Sequence, residues 1–288
     1  QVVLSQDGVQ TLWEVPDFSI DLTHKDERSV LVGQANLASD KGDWKLDFRT
    51  EQRSLRQSLA ITALIENLVP SGLASTFQSI PALKALDLLI TGETNAEFTN
   101  SGKFLTGEAK LTLLPGKITP PWDALNAMQI DGGNLDLRYA KREGLIQIEP
   151  STISWGDSHA TLSGEFRRAG EEKEKANWTF NLKADDVMLG AEEFGLAPMK
   201  VDEWSAQGTV NQTEGKLVLS RFVIRAGDAA IEFSGSVSDA PESPELHLTG
   251  SVSAMSLDTL KRFWPKFLAG DARKWAMLNI AGGQVLGG

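Results

Sequence analysis

The chain has no cysteine among its 288 residues. That excludes disulfides, thiol nucleophiles and thiolate metal sites in one step. Only three histidines occur, at His24, His159 and His247, too far apart for the spacing of a metal site. Each is read as a structural or solvated histidine. Cationic residues are in deficit: Lys and Arg number 28 against 39 Asp and Glu, a formal charge of −11. Such a chain repels polyphosphate, so nucleic acid is no expected partner. It should not adsorb electrostatically to anionic head groups either, so any contact with lipid must be apolar. No apolar run reaches the length of about 18 residues that a membrane-spanning helix needs. The sequence opens at Gln1 without an initiator Met and closes on Gly287-Gly288 behind a strand-like start, Gln284–Leu286. Both ends are read as cuts within a longer protein, with any signal or anchor lying outside.

What the chain has in quantity is alternation. Leu86, Leu88, Ile90, Gly92, Thr94, Ala96 and Phe98 fall at every second position, with largely polar neighbours between them. The same holds for Leu105 to Leu113 and Leu135 to Tyr139. It recurs at Ala160, Leu162, Gly164 and Phe166, at Trp178, Phe180 and Leu182, at Ile231 to Val237, and at Leu246 to Val252. A period of two puts one set of side chains on one face of a pleated strand. One-sided apolarity is the mark of an antiparallel sheet. Turn sequences separate the runs, among them Asp40-Lys41-Gly42-Asp43, Asn100-Ser101-Gly102-Lys103 and Glu214-Gly215-Lys216. The predicted fold is mainly β: a long, curved antiparallel sheet of about a dozen or more strands, with a few amphipathic helices.

The runs also repeat. Trp155 to Phe166 matches Ala226 to Val237 at a spacing of 71 residues, and Ile146, Ile148 and Ile153 match Leu217, Leu219 and Ile224. Downstream, Trp178 and Phe180 match Leu246 and Leu248 at a spacing of 68. Repetition argues for a sheet that grows by adding modules. Residues 1–288 are read as one continuous repetitive segment, with sub-modules 1–80, 81–190 and 191–288.

Two stretches have helical spacing. Ser54–Leu68 carries Leu55, Leu59, Ile61, Leu64, Ile65 and Leu68 and ends at Pro70. Ser256 is a candidate N-cap for a helix running through Leu260 and Phe263. Asp271 is a candidate cap for a second one carrying Trp275, Met277 and Leu278, closed by Gly282-Gly283. Trp264 and Trp275 are read as helix-packing anchors.

Catalytic constellations are absent. Ser163 and Ser234 sit outside any Gly-x-Ser-x-Gly elbow. Asp185-Asp186 and Glu192-Glu193 read as solvated loop charges rather than glycosidase or cation-binding acids. Gly132-Gly133 and Gly282-Gly283 lack the remainder of a phosphate-binding fingerprint. No catalytic residue, metal site or cofactor is expected.

The segments Leu260-Lys261-Arg262-Phe263-Trp264-Pro265, Arg273-Lys274-Trp275 and Gly282-Gly283-Gln284-Val285 resemble a signature of AsmA-like bacterial envelope proteins. The resemblance is strongest to the large YhdP-like members, with TamB more distant. The family pattern has Tyr where this chain has Phe263. Ala85 to Glu93 resembles the element that opens a sheet module there. The resemblance implies a folded-over β-groove lined with apolar side chains. It further implies a periplasmic location in a Gram-negative envelope, an inner-membrane anchor outside this segment, and a part in phospholipid transport or maintenance of the outer-membrane barrier. Phospholipid acyl chains would be the partners, along with other envelope proteins.

The apolar stripe therefore has two readings. Leu88, Ile90, Leu111, Leu162, Phe166, Trp178, Phe180, Ile231, Phe233, Leu246 and Leu248 form an ordinary covered core, or they line an open groove facing acyl chains. The two coexist if one end is core and the rest is groove. Three other classes stay open: a periplasmic scaffold without lipid, a carbohydrate-binding module, and an enzyme. A carbohydrate-binding module should show aromatics on a polar face, whereas here they lie on the apolar stripe.

Overall fold

The computed structural model describes all residues except 1, 7–8, 26–27, 54–57, 76–80, 120–125, 170–176, 192–194, 212–213, 239–244 and 265–269. In chain order the strands are β1 (Val2–Gln6), β2 (Val9–Trp13), β3 (Asp17–Lys25), β4 (Arg28–Leu37), β5 (Trp44–Arg53), β6 (Ser58–Leu68), β7 (Leu86–Thr99), β8 (Phe104–Ile118), β9 (Met128–Ile130), β10 (Gly132–Ala140), β11 (Leu145–Trp155), β12 (Ser158–Ala169), β13 (Asn177–Ala191), β14 (Leu196–Val201), β15 (Glu203–Asn211), β16 (Lys216–Ala226), β17 (Ala229–Ser238), β18 (Glu245–Val252), β19 (Met255–Ser256) and β20 (Gln284–Val285). Two helices follow β19: α1 (Leu257–Phe263) and α2 (Gly270–Asn279). Short 3-10 turns span Pro70–Leu73 and Pro81–Ala85.

Sixteen strands form one antiparallel sheet, in which β3 and β18 end the order, so the sheet is not closed into a barrel. The expectation of a long antiparallel sheet holds. Successive strands pair with successive strands, so the chain adds each strand by a local hairpin or by a short excursion. The residues divide into two compact units. One comprises Gln1–Thr119 with Gly132–Gly144, the other Pro120–Asp131 with Leu145–Gly288.

The module repeat is structural down to its irregularities. On β11 and β12, Ile146 faces Phe166, Ile148 faces Gly164 and Ile153 faces Ala160, with a register shift between Ile148 and Ser151. On β16 and β17, 71 residues on, Leu217 faces Val237, Leu219 faces Gly235 and Ile224 faces Ile231, with the shift between Leu219 and Phe222. The same bulge thus recurs at the same module position. It puts one extra residue in the strand and restores the apolar side chains beyond it to their face. The hairpin turns are matched too. The Gly227 N–H donates to Asp202 Oδ2 at 2.7 Å, and the Gly156 N–H to Asp131 Oδ2. Gly156 and Gly227 hold φ of 57° and 56°, which a tight hairpin requires and glycine adopts without strain.

Ser54–Leu68 is not helical. Its described part is β6, paired with β5 on one side and β7 on the other, while Leu55 lies outside the described residues. Leu59, Ile61, Ala63 and Ile65 alternate on one face, opposite Phe98, Ala96, Thr94 and Gly92 of β7. Two features imitate helical spacing. Leu64 is a leucine on the polar side. The step from Ile65 to Leu68 crosses a register shift, with Asn67 at φ 59°, which returns Leu68 to the apolar face three residues on. Hydrogen bonding to two neighbours outweighs the weak helical preference of the segment.

Candidate functional site

Residues facing each other across an antiparallel ladder point to the same side of the sheet. In the second unit this places the apolar runs on one continuous face. Leu162 lies beside Ala184, Phe166 beside Phe180, and Arg168 beside Trp178. Trp178 continues to Val210, Phe180 to Gly208, and Ala184 to Trp204. Trp204 continues to Ile224, Gly208 to Leu219 and Val210 to Leu217. Phe222 faces Phe233 and Ile224 faces Ile231. Leu248 and Leu246 of β18 face Gly235 and Val237. Eight of the residues singled out from sequence, on strands β12 to β18, are therefore brought to one surface: Leu162, Phe166, Trp178, Phe180, Ile231, Phe233, Leu246 and Leu248.

That surface has two ends of different character. At one end Ala160, Ile224 and Ala229 are buried together with Val187, Val201, Met255 and Phe263, and Ile153, Trp204, Phe222, Ile231 and Val252 pack against them. The cover consists of β14, β19, α1 and β20. Towards the other end Phe166, Trp178, Val210, Leu217 and Val237 are only partly buried, and Leu246 and Leu248 are 54% and 51% exposed. Phe180 is buried although, among the described residues, it is not part of the core beneath that cover. Its ring lies across Gly208, where a Cβ would stand 2.8 Å from the ring carbon Cζ. Phe166 and Phe180 pack with centroids 5.8 Å apart, and the Arg168 guanidinium sits 5.3 Å from the centre of the Trp178 ring.

The first unit repeats the arrangement. Ala35, Leu37, Trp44, Leu68, Leu88 and Ile90 form a closed core, with Leu73 of the first 3-10 turn and Leu111 packed against it. At the far end of the same face Phe98, Phe104 and Tyr139 form a chain of ring contacts at 5.4 and 5.5 Å. On edge strand β3, Phe18, Ile20 and Leu22 are more than half exposed. Of the two readings of Leu88 and Ile90, burial favours the covered core: Leu88 is 3% exposed and lies on the same face as Leu68. Leu111 and Ile231 lie at the rims of the two closed cores. The 3-10 turn over the first core is tied down by Asp87. Its carboxylate takes an ion pair from Lys41 Nζ at 3.2 Å and a hydrogen bond from Ser71 Oγ at 3.2 Å. The hydrogen bond from Lys41 holds the Asp87 carboxyl below its ordinary range.

Ser256 caps α1 as expected: its Oγ accepts from the Thr259 N–H at 3.1 Å. Asp271 lies within the first turn of α2. The signature residues brace the cover. Phe263 is buried in the closed core and Leu260 packs against it. Lys261 Nζ donates to Ile280 O at 2.9 Å, Arg273 Nε to Trp264 O at 3.1 Å, and Arg262 Nε to Ala197 O at 2.8 Å. Pro265 lies outside the described residues. Trp275 is no packing anchor. Arg273 and Met277, four apart, form the buried side of α2, which leaves Trp275 62% exposed.

The polar face carries exposed ion pairs such as Arg221–Glu232 at 3.0 Å and Arg225–Glu203 at 3.3 Å. His24 bonds Ser29 Oγ at 2.8 Å, and His159 lies 3.8 Å from Asp186. Lys183 pairs with Asp185 at 3.5 Å. Glu192-Glu193 lie outside the described residues. Among the described residues no group of three or more His, Asp or Glu could hold a metal ion, and no helix is long and apolar enough to cross a membrane.

Sequence reasoning passed over Val210, Leu217, Leu219 and Phe222 as surface residues of this face. In β16 the signal was present as the matched repeat, but the bulge before Phe222 hides it from a strict count of two. Compared with known proteins, the chain matches no family model, no curated protein and no solved structure.

Proposed function

We propose that the uncovered end of the apolar face receives phospholipid acyl chains, and that the chain is a non-catalytic segment of an AsmA-like protein in the periplasm of a Gram-negative bacterium, anchored to the inner membrane by residues outside this segment. One observation carries the reading. In the second unit a single face runs from a core closed by β14, β19, α1 and β20 to an end where Leu246 and Leu248 remain more than half exposed. Leu246 and Leu248 lie on edge strand β18 and continue the partly buried rows of Trp178, Val210, Leu217 and Val237 to the sheet margin, and a contiguous exposed apolar surface marks a ligand or partner. Acyl chains gain about 0.8 kcal/mol for each CH₂ they bury. Smooth, ring- and branch-lined walls hold them without fixing a position, which suits sliding between membranes. Arg168 stands at the outer end of the face beside Trp178, a cation where the phosphate of a head group would sit. The acidic charge of the chain as a whole keeps other anions away.

Native mass spectrometry of the purified chain, with lipid extraction alongside, tests this. Co-purified phospholipid near stoichiometric amounts is the expected result. Leu248→Asp should remove it while circular dichroism stays unchanged and melting falls no further than it does in Leu248→Ala, because the site is half exposed. A lipid-free parent chain, or a Leu248→Asp variant that retains its lipid, would overturn the proposal. In the first case a protein-binding scaffold built on the same sheet becomes the better reading.

A further inference from the structure

The sheet has an edge at β18, and one backbone residue already pairs with it. The Val252 N–H donates to Gly288 O at 2.8 Å, and the Gly288 N–H donates to Val252 O at 2.9 Å. This reciprocal exchange is the hydrogen-bonded pair of an antiparallel ladder. The position is not arbitrary. Three residues before Gly288, Val285 faces Met255 across the β19–β20 pair. In the preceding module Val201 faces Val187, and three residues later Trp204 faces Ala184. Met255 and Val252 follow Val187 and Ala184 by 68 residues, and Val285 and Gly288 follow Val201 and Trp204 by 84. The pairing scheme is therefore the same on both strands, with α1 and α2 in place of the shorter connection between β13 and β14. One module earlier, Gly133 faces Leu113 of β8 in the equivalent place. From Trp204, β15 pairs along β13 as far as Asn177, and from Gly133, β10 pairs along β8 as far as Thr106.

From this we infer that β18 is an acceptor edge for one further antiparallel strand, in the register β10 holds on β8 and β15 holds on β13, supplied by backbone that prolongs the chain from Gly288. Because Val252 directs its N–H and C=O towards Gly288, Leu246, Leu248 and Gly250 present theirs to the same side, while His247, Thr249 and Ser251 face β17. The register fixes side-chain chemistry as well. The facing residues on β15 are Ala206, Gly208 and Val210, and on β10 Leu135, Leu137 and Tyr139. The incoming strand therefore needs apolar residues opposite Gly250, Leu248 and Leu246. Such a strand covers the backbone edge of β18 and lengthens the apolar face by one strand, whatever that face binds, so the inference does not rest on the lipid reading.

The test extends the full chain beyond Gly288 with the sequence of Asn134–Ala140 and follows amide exchange by NMR. The amides of Leu246, Leu248 and Gly250 should slow by at least about tenfold, while those of His247, Thr249 and Ser251, already bonded to β17, stay unchanged. Replacing the two leucines of the added segment by Asp should abolish the protection. A peptide of Gly132–Ala140 supplied in trans should give the same three protected amides, saturably. Two results would overturn the inference. One is an added strand that leaves the three amides at the rate of the parent chain. The other is a parent chain that already protects them in a concentration-dependent way, because a second copy would then occupy the edge.

Discussion

Ile224 and Leu248 are isomeric side chains on the same apolar face, one under cover and one not, and truncating each to Ala measures what the cover does. Ile224 is 5% exposed and lies in the closed core with Val201 and Phe263, between Trp204 and Ile231. Ile224→Ala removes fully buried carbon and leaves a cavity the surrounding strands cannot fill. The expected cost is about 3–5 kcal/mol. Leu248 is 51% exposed. Leu248→Ala removes the same carbon, but about half of it is already in water. At about 0.8 kcal/mol per CH₂ the loss is roughly 1 kcal/mol, and water occupies the space, so no cavity term is added. The difference should be at least about 2 kcal/mol. Urea unfolding followed by tryptophan fluorescence measures it, provided the slope of free energy against urea is the same for both variants. Equal costs would refute the argument, since the open end would then be a core like the other. With phospholipid present the parent chain should gain stability that Leu248→Ala gains only in part, because a ligand stabilises the state it binds.

Gly164 holds φ 148°, and a Cβ there would run into the carbonyl of Asn181 and lie 3.0 Å from Leu182 Cδ2. Gly164→Ala should cost at least about 2 kcal/mol in the same urea assay, from backbone strain and the displaced strand together. Ser256→Ala removes the cap of α1 and should cost about 1 kcal/mol, seen as earlier loss of protection in the amides of Thr259 and Leu260 by hydrogen exchange. Lys41 holds the Asp87 carboxyl below the usual carboxylate range. A carboxyl lowered on folding contributes stability that is present above its unfolded-state value and is lost as pH falls through its folded-state value. Melting temperatures between pH 5 and pH 3 should therefore fall slightly more for the parent than for Asp87→Asn. For so exposed a pair the difference should be no more than about 0.5 kcal/mol.

Most of the fold could be read from residue alternation. Leu162, Phe166, Phe233 and Leu248 were assignable to one face because a strand's side chains repeat every two residues regardless of what the sheet packs against. The 71-residue repeat carried hairpin, bulge and turn together, since a module that pairs with copies of itself must keep its register. The α1 cap was equally local: a serine before an amphipathic run satisfies an orphan N–H wherever the helix docks. The segment around β6 was misread for the opposite reason. Ile65 and Leu68 are brought to one face by a bulge at Asn67 whose cost is met by hydrogen bonds to β5 and β7, and neither neighbour is visible in fifteen residues of sequence.

What alternation alone leaves open is which part of an apolar face is covered. Leu88 and Leu248 have the same local signature, an apolar residue flanked by others two positions away, yet one is 3% and the other 51% exposed. The sequence by itself determined that these side chains point to a common side, because that follows from backbone geometry. Only the tertiary structure decided that Leu88 lies under a 3-10 turn pinned by Asp87 and that Leu248 lies beyond the reach of α1. Burial depends on elements distant in sequence that fold back over one end of the face and not the other.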